Sequence, residues 1–278
     1  MSISLPTYTR REMPLLGRSR RVRAIITTGL RREFRRPAAI VVTALGVGIT
    51  LISSIVLVLF ASFFLPGQTL DLSFFSTTAS NGAIEFFVTL MASVVGSGLV
   101  ADDLHSMALT LYLSRPITHA DYLIAKTAIL APLISMIAVL PLVLTPVAAA
   151  LLGLFSWTMA LEAVGLSVLI GSLFTAFYTS VTLLLSSLTR RKSYAAAGVF
   201  AVTFGLTIPA EILAGQLNAP ALLYISPWED YLAIARSAFG ASGNQLDWAW
   251  SLAILLVAIV VASVLTYVRM KSVEVVLG

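Results

Sequence analysis

The chain contains no cysteine, which excludes disulfides, thiol catalysis and cysteine-based metal sites. Charge is scarce: 11% of the 278 residues are Asp, Glu, Lys or Arg. A soluble domain carries about 25%. With 58% hydrophobic residues, the chain lacks the charge to cover a water-facing surface, and an integral membrane protein is expected. Lysine is rarer still, three in all, and none follows a glycine. The Gly-x-x-x-x-Gly-Lys phosphate cradle is therefore missing, so any ATP that drives the protein binds to a separate subunit. The two histidines, His105 and His119, stand in no His-Glu-x-x-His pattern, which argues against a zinc protease. They read as polar residues of a water-exposed loop. The middles of the apolar runs hold no Lys, Arg, Asp or Glu, which argues against a proton or sodium antiporter. No buried acid pair or Ser/Lys dyad supports an intramembrane enzyme.

What the chain does have is six long apolar runs. They predict an all-α integral membrane protein with spans near residues 38–64, 84–100, 121–144, 160–188, 193–213 and 248–268. A crossing needs about 20 residues. Pro132, Pro141 and Pro146 should kink or end the third span near its outer edge. Ser167 and Gly171 in the fourth form a small-xxx-small pair suited to close helix approach. Phe174, Phe177 and Tyr178 recur at helical spacing, fitting either an apolar path or ordinary packing.

Residues 1–36 are polar and basic, with ten arginines and no lysine. From about Arg20 to Arg36, Val22, Ile25, Ile26, Leu30 and Phe34 recur at helical spacing, while Arg23, Arg31, Arg32, Arg35 and Arg36 take the other positions. This predicts an amphipathic helix lying in the headgroup region of an anionic leaflet, ended by Pro37. The bland alternative is a solvated tail that only sets topology. A cleavable signal peptide is not expected, because the basic region is too long and the apolar run after it is about twice the usual length.

The most informative stretch joins the second and third runs, residues 101–121. Leu104, Met107, Ala108 and Leu111 fall at i, i+3, i+4 and i+7, one face of a short helix. Asp102 and Asp103 sit where carboxylates suit the positive helix end. Arg115-Pro116 breaks this helix, and Thr118 with Asp121 reads as a capping box opening the next. A second informative stretch is the loop 214–247. Ser226 reads there as an N-cap, Pro227 as the first helical residue, and Glu229 and Asp230 as first-turn acids. Trp228, Tyr231 and Trp248 suit a membrane interface.

Six spans put 17 of the 18 Lys and Arg residues on one side, with only Arg236 opposite. The positive-inside rule then places both termini and the loop 101–121 in the cytoplasm. Glu85, Glu162 and Glu211 lie near the outer ends of spans, where they are expected to reach water. Glu211, beside the helix-breaking Pro209, is a candidate outer-gate residue.

The segment Leu111, Leu113, Ser114, Arg115, Pro116, Ile117, Tyr122 and Lys126 resembles the intracellular loop of type 2 ABC-transporter permeases. The likeness extends to the basic amphipathic helix, the six spans, the inward termini and the helical loop before the last span. The arginine-rich lead, residues 1–21, is a departure. The resemblance implies two domains, a cytoplasmic N-terminus at 1–36 and a transmembrane domain at 37–278. It implies a permease subunit of an ATP-driven exporter in the plasma membrane, paired with an identical or related second permease subunit. A cytoplasmic ABC ATPase subunit would bind the ATP and Mg, this chain holding no cofactor itself. Asp102, Asp103, Leu104, Met107, Ala108, Leu111 and Arg115 would form the coupling helix against that ATPase, and Arg190, Arg191 and Lys192 a secondary contact. Arg23, Ile26, Leu30, Arg31, Phe34 and Arg35 would form the connecting helix on membrane lipids. No nucleic-acid partner is implied. The alternative reading is a non-transporting scaffold that passes ATPase-driven motion to an outer-side protein through the loop 214–247.

Overall fold

In lipid, backbone N–H and C=O groups must find partners within their own segment, so each apolar run becomes a helix. The computed structural model describes residues 17–64, 71–107 and 117–277, with side chains up to Ser272 in the last helix. Six helical stretches in it are long and apolar enough to cross a membrane: Pro37–Phe64, Phe74–His105, His119–Leu151, Trp157–Leu188, Lys192–Leu217 and Trp248–Ser272. They are spans one to six below. No strand occurs among the described residues.

Helix α1 (Arg18–Glu33) precedes span one, and a turn at 34–36 lets Pro37 begin α2 (Pro37–Phe64). Proline suits that position, since its missing N–H is one no helix start can bond. Helix α1 packs on span three. A Cβ on Gly29 would collide with the Ile129 side chain, so glycine lets the two helices meet there without moving Ile129. Leu30 packs against the core, while Arg23, Arg31 and Arg35 face outward. The basic helix is therefore fixed to the bundle on one flank as well as suited to a membrane surface.

Span two is the most enclosed, with 78% of its apolar window buried against 28% for span one and 22% for spans five and six. It consists of α3 (Phe74–Ala79), α4 (Gly82–Met91), a π-helical turn at Ala92–Gly96, and α5 (Ser97–His105). Asn81 caps α4 through the Ala83 N–H. The apolar run predicts a span over 84–100 only, whereas the helical stretch begins at Phe74 and continues to His105. Phe75 is buried, its ring tilted against that of Phe155 with ring centres 4.8 Å apart.

Span three is α6 (His119–Ala138) followed by α7 (Leu140–Leu151), broken at Val139. Pro132 is absorbed within α6; the break comes just before Pro141, which cannot donate to the carbonyl four residues back. Span four, α8 (Trp157–Leu188), crosses this break at close range. The Ser167 hydroxyl donates to the Leu142 carbonyl at 3.0 Å, and a Cβ on Gly171 would stand 3.1 Å from the Ala138 oxygen. The small-xxx-small pair thus seats span four against an irregular turn of span three.

Span five is α9 (Lys192–Leu217). A 3₁₀ turn (Pro220–Ile225) and α10 (Pro227–Ala238) follow, then span six in α11 (Trp248–Leu277). Ser226 caps α10 by accepting the Glu229 N–H, as its sequence pattern predicts. Helix α10 packs on spans four, five and six, over the aromatic layer of Phe174, Tyr178, Trp228 and Tyr231. Phe174, Phe177 and Tyr178 are all buried there, so they are packing residues rather than the lining of an open path.

Candidate functional site

The arginine-rich ends of the helices converge on a layer of ion pairs. Asp103, at the end of span two, receives the Lys126 ammonium at 2.7 Å and the Tyr122 hydroxyl at 2.8 Å, both from the first turns of span three. Lys126 and Tyr122 are buried. Asp121 completes the capping box with Thr118 and also takes a bidentate grip from Arg18 of α1, with contacts of 2.9 Å. The Arg18 guanidinium is held above its usual pKa chiefly by that hydrogen bond. Buried Glu33 closes α1 and pairs with Arg36 at 3.4 Å and Arg32 at 3.7 Å. A small cleft beside these groups is lined by Glu33, Arg36, Asp102, Asp103 and Lys126. Three elements that are far apart in sequence (α1, the end of span two and the start of span three) are thereby tied together at one end of the bundle.

The candidate coupling residues fall here in part. Asp102, Asp103 and Leu104 lie on α5, continuous with span two, not on a separate short helix. Leu104 is half-buried and packs on the protein's own core. The helix ends at His105, and Met107 takes a left-handed backbone (φ 55°) with its side chain 59% exposed. A single helical face from Leu104 through Leu111 is therefore interrupted at Met107: a left-handed residue cannot continue a right-handed helix. Ala108, Leu111 and Arg115, with the motif segment through Pro116, lie outside the described residues. Arg190, Arg191 and Lys192 are exposed in the tight turn between spans four and five. Phe34 is 44% exposed and Ile26 half-buried.

The opposite end carries acids. Glu162 and Glu211 are exposed, as expected. Glu85 is not: it is 6% exposed, and its Oε1 has no hydrogen-bond partner. Its sequence position near a span end did not reveal that its helix, α4, packs against spans one, three and five. Asp230 of α10 was read from sequence only as a helix-start acid. It is 1% exposed, and both its carboxylate oxygens and the facing Ser251 hydroxyl lack a partner within hydrogen-bond distance. Burial pushes its carboxyl up to about 7, and the Glu229 carboxylate adds to the shift. Glu229 also sits above its ordinary value, through burial and then the Glu211 carboxylate. No group of three or more His, Cys, Asp or Glu side chains able to hold a metal occurs among the described residues.

A six-span helical bundle with a basic amphipathic lead helix locked to its third span defines a multi-pass membrane protein. The chain belongs to the ABC-2 transporter family: the family described as ABC-2 family transporter protein matches residues 39–275, from the first turn of span one to the last turns of span six. It is thus a membrane component of an ABC transporter. Permeases of this family generally work with a cytoplasmic ABC ATPase and are transport components, not catalysts. No curated protein matches the chain.

Proposed function

We propose that this chain is the permease subunit of an ATP-driven exporter of the plasma membrane, with both termini cytoplasmic. It works with a separate ATPase subunit that binds ATP and Mg, and with a second permease subunit. The observation that carries this reading is the ion-paired junction at the basic end. A force applied at the Ser106–Met107 turn would reach span two directly, span three through Asp103–Lys126, and α1 through Arg18–Asp121. Span two is the most enclosed span, so its displacement would shift the packed helices around it as rigid bodies. The substrate path then opens and closes at the far end, where Glu85, Glu211 and Glu229 stand and Glu211 would contact substrate or gate. The large apolar faces left open on spans one and five (Ile52, Phe60, Ile208 and Ile212 among them) suit the second permease subunit. Arg190, Arg191 and Lys192 supply the secondary ATPase contact. The scaffold alternative needs an outer loop free to dock, whereas α10 is packed into the bundle.

The test is affinity purification of the full chain together with its cytoplasmic ATPase. Met107→Asp places a charge in the proposed contact and should lower ATPase recovery by roughly tenfold or more, with membrane insertion unchanged. Normal complex recovery and normal ATP turnover in that variant would refute the coupling assignment.

A further inference from the structure

Spans three, four and six do not close on one another along their whole length. Between them lies a groove of about 840 Å³. That is within the size range of sites that enclose a small organic ligand. Its walls include Ile124, Ala128, Pro132, Thr179, Leu183 and Thr266. The groove exists because small side chains, Ala131, Ser172, Ala176 and Ser263 among them, face one another where larger ones would fill the space.

Its position follows from the helix numbering. The lining residues occupy the first half of span three, the second half of span four and the second half of span six, which is the half of the bundle toward the basic end. Arg269 lies three residues beyond Thr266, one turn nearer that end on a neighbouring column of the same helix, and is exposed. Lys271 is exposed beyond it, and Arg190 stands at the same end of span four. The walls are otherwise chemically quiet. The Thr175, Ser180 and Thr266 hydroxyls are satisfied by carbonyls of their own helices. Among the buried hydroxyls of the groove Thr179 differs: it is 2% exposed and its hydroxyl has no partner.

We propose that this groove is a binding site for one anionic phospholipid of the leaflet at the basic end. Its acyl chain lies along Ile124, Ala128 and Pro132. Its phosphate meets Arg269. An oxygen below the head, such as an ester carbonyl, accepts from Thr179. The charge complementarity is specific to that leaflet: helix geometry puts Arg269 about one turn beyond the groove residue Thr266 toward the basic end, and anionic lipid is the apolar-tailed anion a membrane supplies. A bound chain would wedge span six against spans three and four. The site is separate from the ATPase contact and from the far-end acids, so it stands or falls independently of the transport reading.

The experiment uses the purified full chain in nanodiscs containing phosphatidylglycerol with a photoreactive group on its acyl chain, and maps the labelled peptides. Labelling should concentrate on residues 123–135, 172–183 and 259–266. Ser263→Phe, at an exposed position, and Ala131→Trp should each plug the groove and reduce that labelling by roughly tenfold, while labelling of the exposed face of span one stays constant. Arg269→Gln should reduce labelling by the phosphatidylglycerol probe but not by a phosphatidylcholine probe of the same chain. Even labelling over all exposed apolar faces, or unchanged groove labelling in Ser263→Phe, would overturn the site. Equal response of the two probes to Arg269→Gln would overturn the anionic head.

Discussion

The Lys126 ammonium and the Asp103 carboxylate stand 2.7 Å apart, one on each side of the segment joining spans two and three. The pair makes the two helix ends move as one. Lys126 is buried, so neutralising Asp103 weakens the compensation of an enclosed charge. Asp103→Asn should cost about 3 kcal/mol, the low end for a buried pair because Asp103 keeps some water access. Lys126→Met combined with Asp103→Asn should recover part of that loss. Thermal unfolding of the two single variants and the double variant in detergent gives the coupling energy; additive losses would mean that the pair does not hold the junction.

The Ser186 hydroxyl of span four joins the backbone of span two. It accepts from the Val100 and Ala101 N–H groups at 3.1 and 3.0 Å and donates to the Ser97 carbonyl at 2.7 Å. Span two needs this because the π-helical turn just before it disturbs the regular ladder. Ser186→Ala should destabilise by about 1–3 kcal/mol. Its neighbour Ser187 bonds only its own helix, at Leu184, so Ser187→Ala should cost clearly less. Equal midpoints for the two variants would remove Ser186 from this role.

Two glycines of span four should respond in opposite directions to alanine. At Gly171 a Cβ would meet the Val139 side chain at 2.8 Å and the Ala138 oxygen at 3.1 Å, whereas Gly165 has open space around it. Gly171→Ala should cost about 1–3 kcal/mol through forced separation of spans three and four. Gly165→Ala should gain about 0.5–1 kcal/mol from reduced chain freedom. Paired melting curves check both signs.

Asp230 makes stability pH-dependent. Unfolded, its carboxyl ionises near its ordinary 3.8; folded, burial holds it near 7. Between those values the folded state keeps a proton that the unfolded state gives up, so stability falls as pH rises through the window. Glu229 acts in the same direction. The melting midpoint should therefore drop from pH 5 to pH 8, and Asp230→Asn should flatten that drop; an unchanged slope would show that Asp230 is not the titrating group.

Local chemistry was legible in the chain without coordinates. Thr118 with Asp121 and Ser226 with Glu229 are caps whose hydrogen bonds close within three residues, and both form as their spacing predicts. Pro37 begins span one for the same local reason. The six apolar runs and the absent phosphate loop were also read directly from residue type, because membrane crossing and nucleotide binding each require a composition that cannot be disguised. Tyr122 and Lys126, which carry part of the family resemblance, follow that capping box in the first turns of span three.

Other features depend on which helices meet, and residue order does not state that. The Leu104 to Leu111 periodicity suggested one continuous face, but the end of span two is carried on to His105 by packing against span four. Glu85 reads in sequence as an acid near a span end and Asp230 as a helix-start acid, and only packing against distant helices makes them buried. Gly29 became the docking point of α1 because Ile129 happens to stand opposite it. The sequence by itself determined the six apolar runs, the local helix caps and the charge asymmetry, since each rests on neighbours along the chain. Tertiary structure decided the Asp103–Lys126 junction, the groove beside Thr179 and the burial of Asp230. Burial and ion pairing are set by close approach of distant segments.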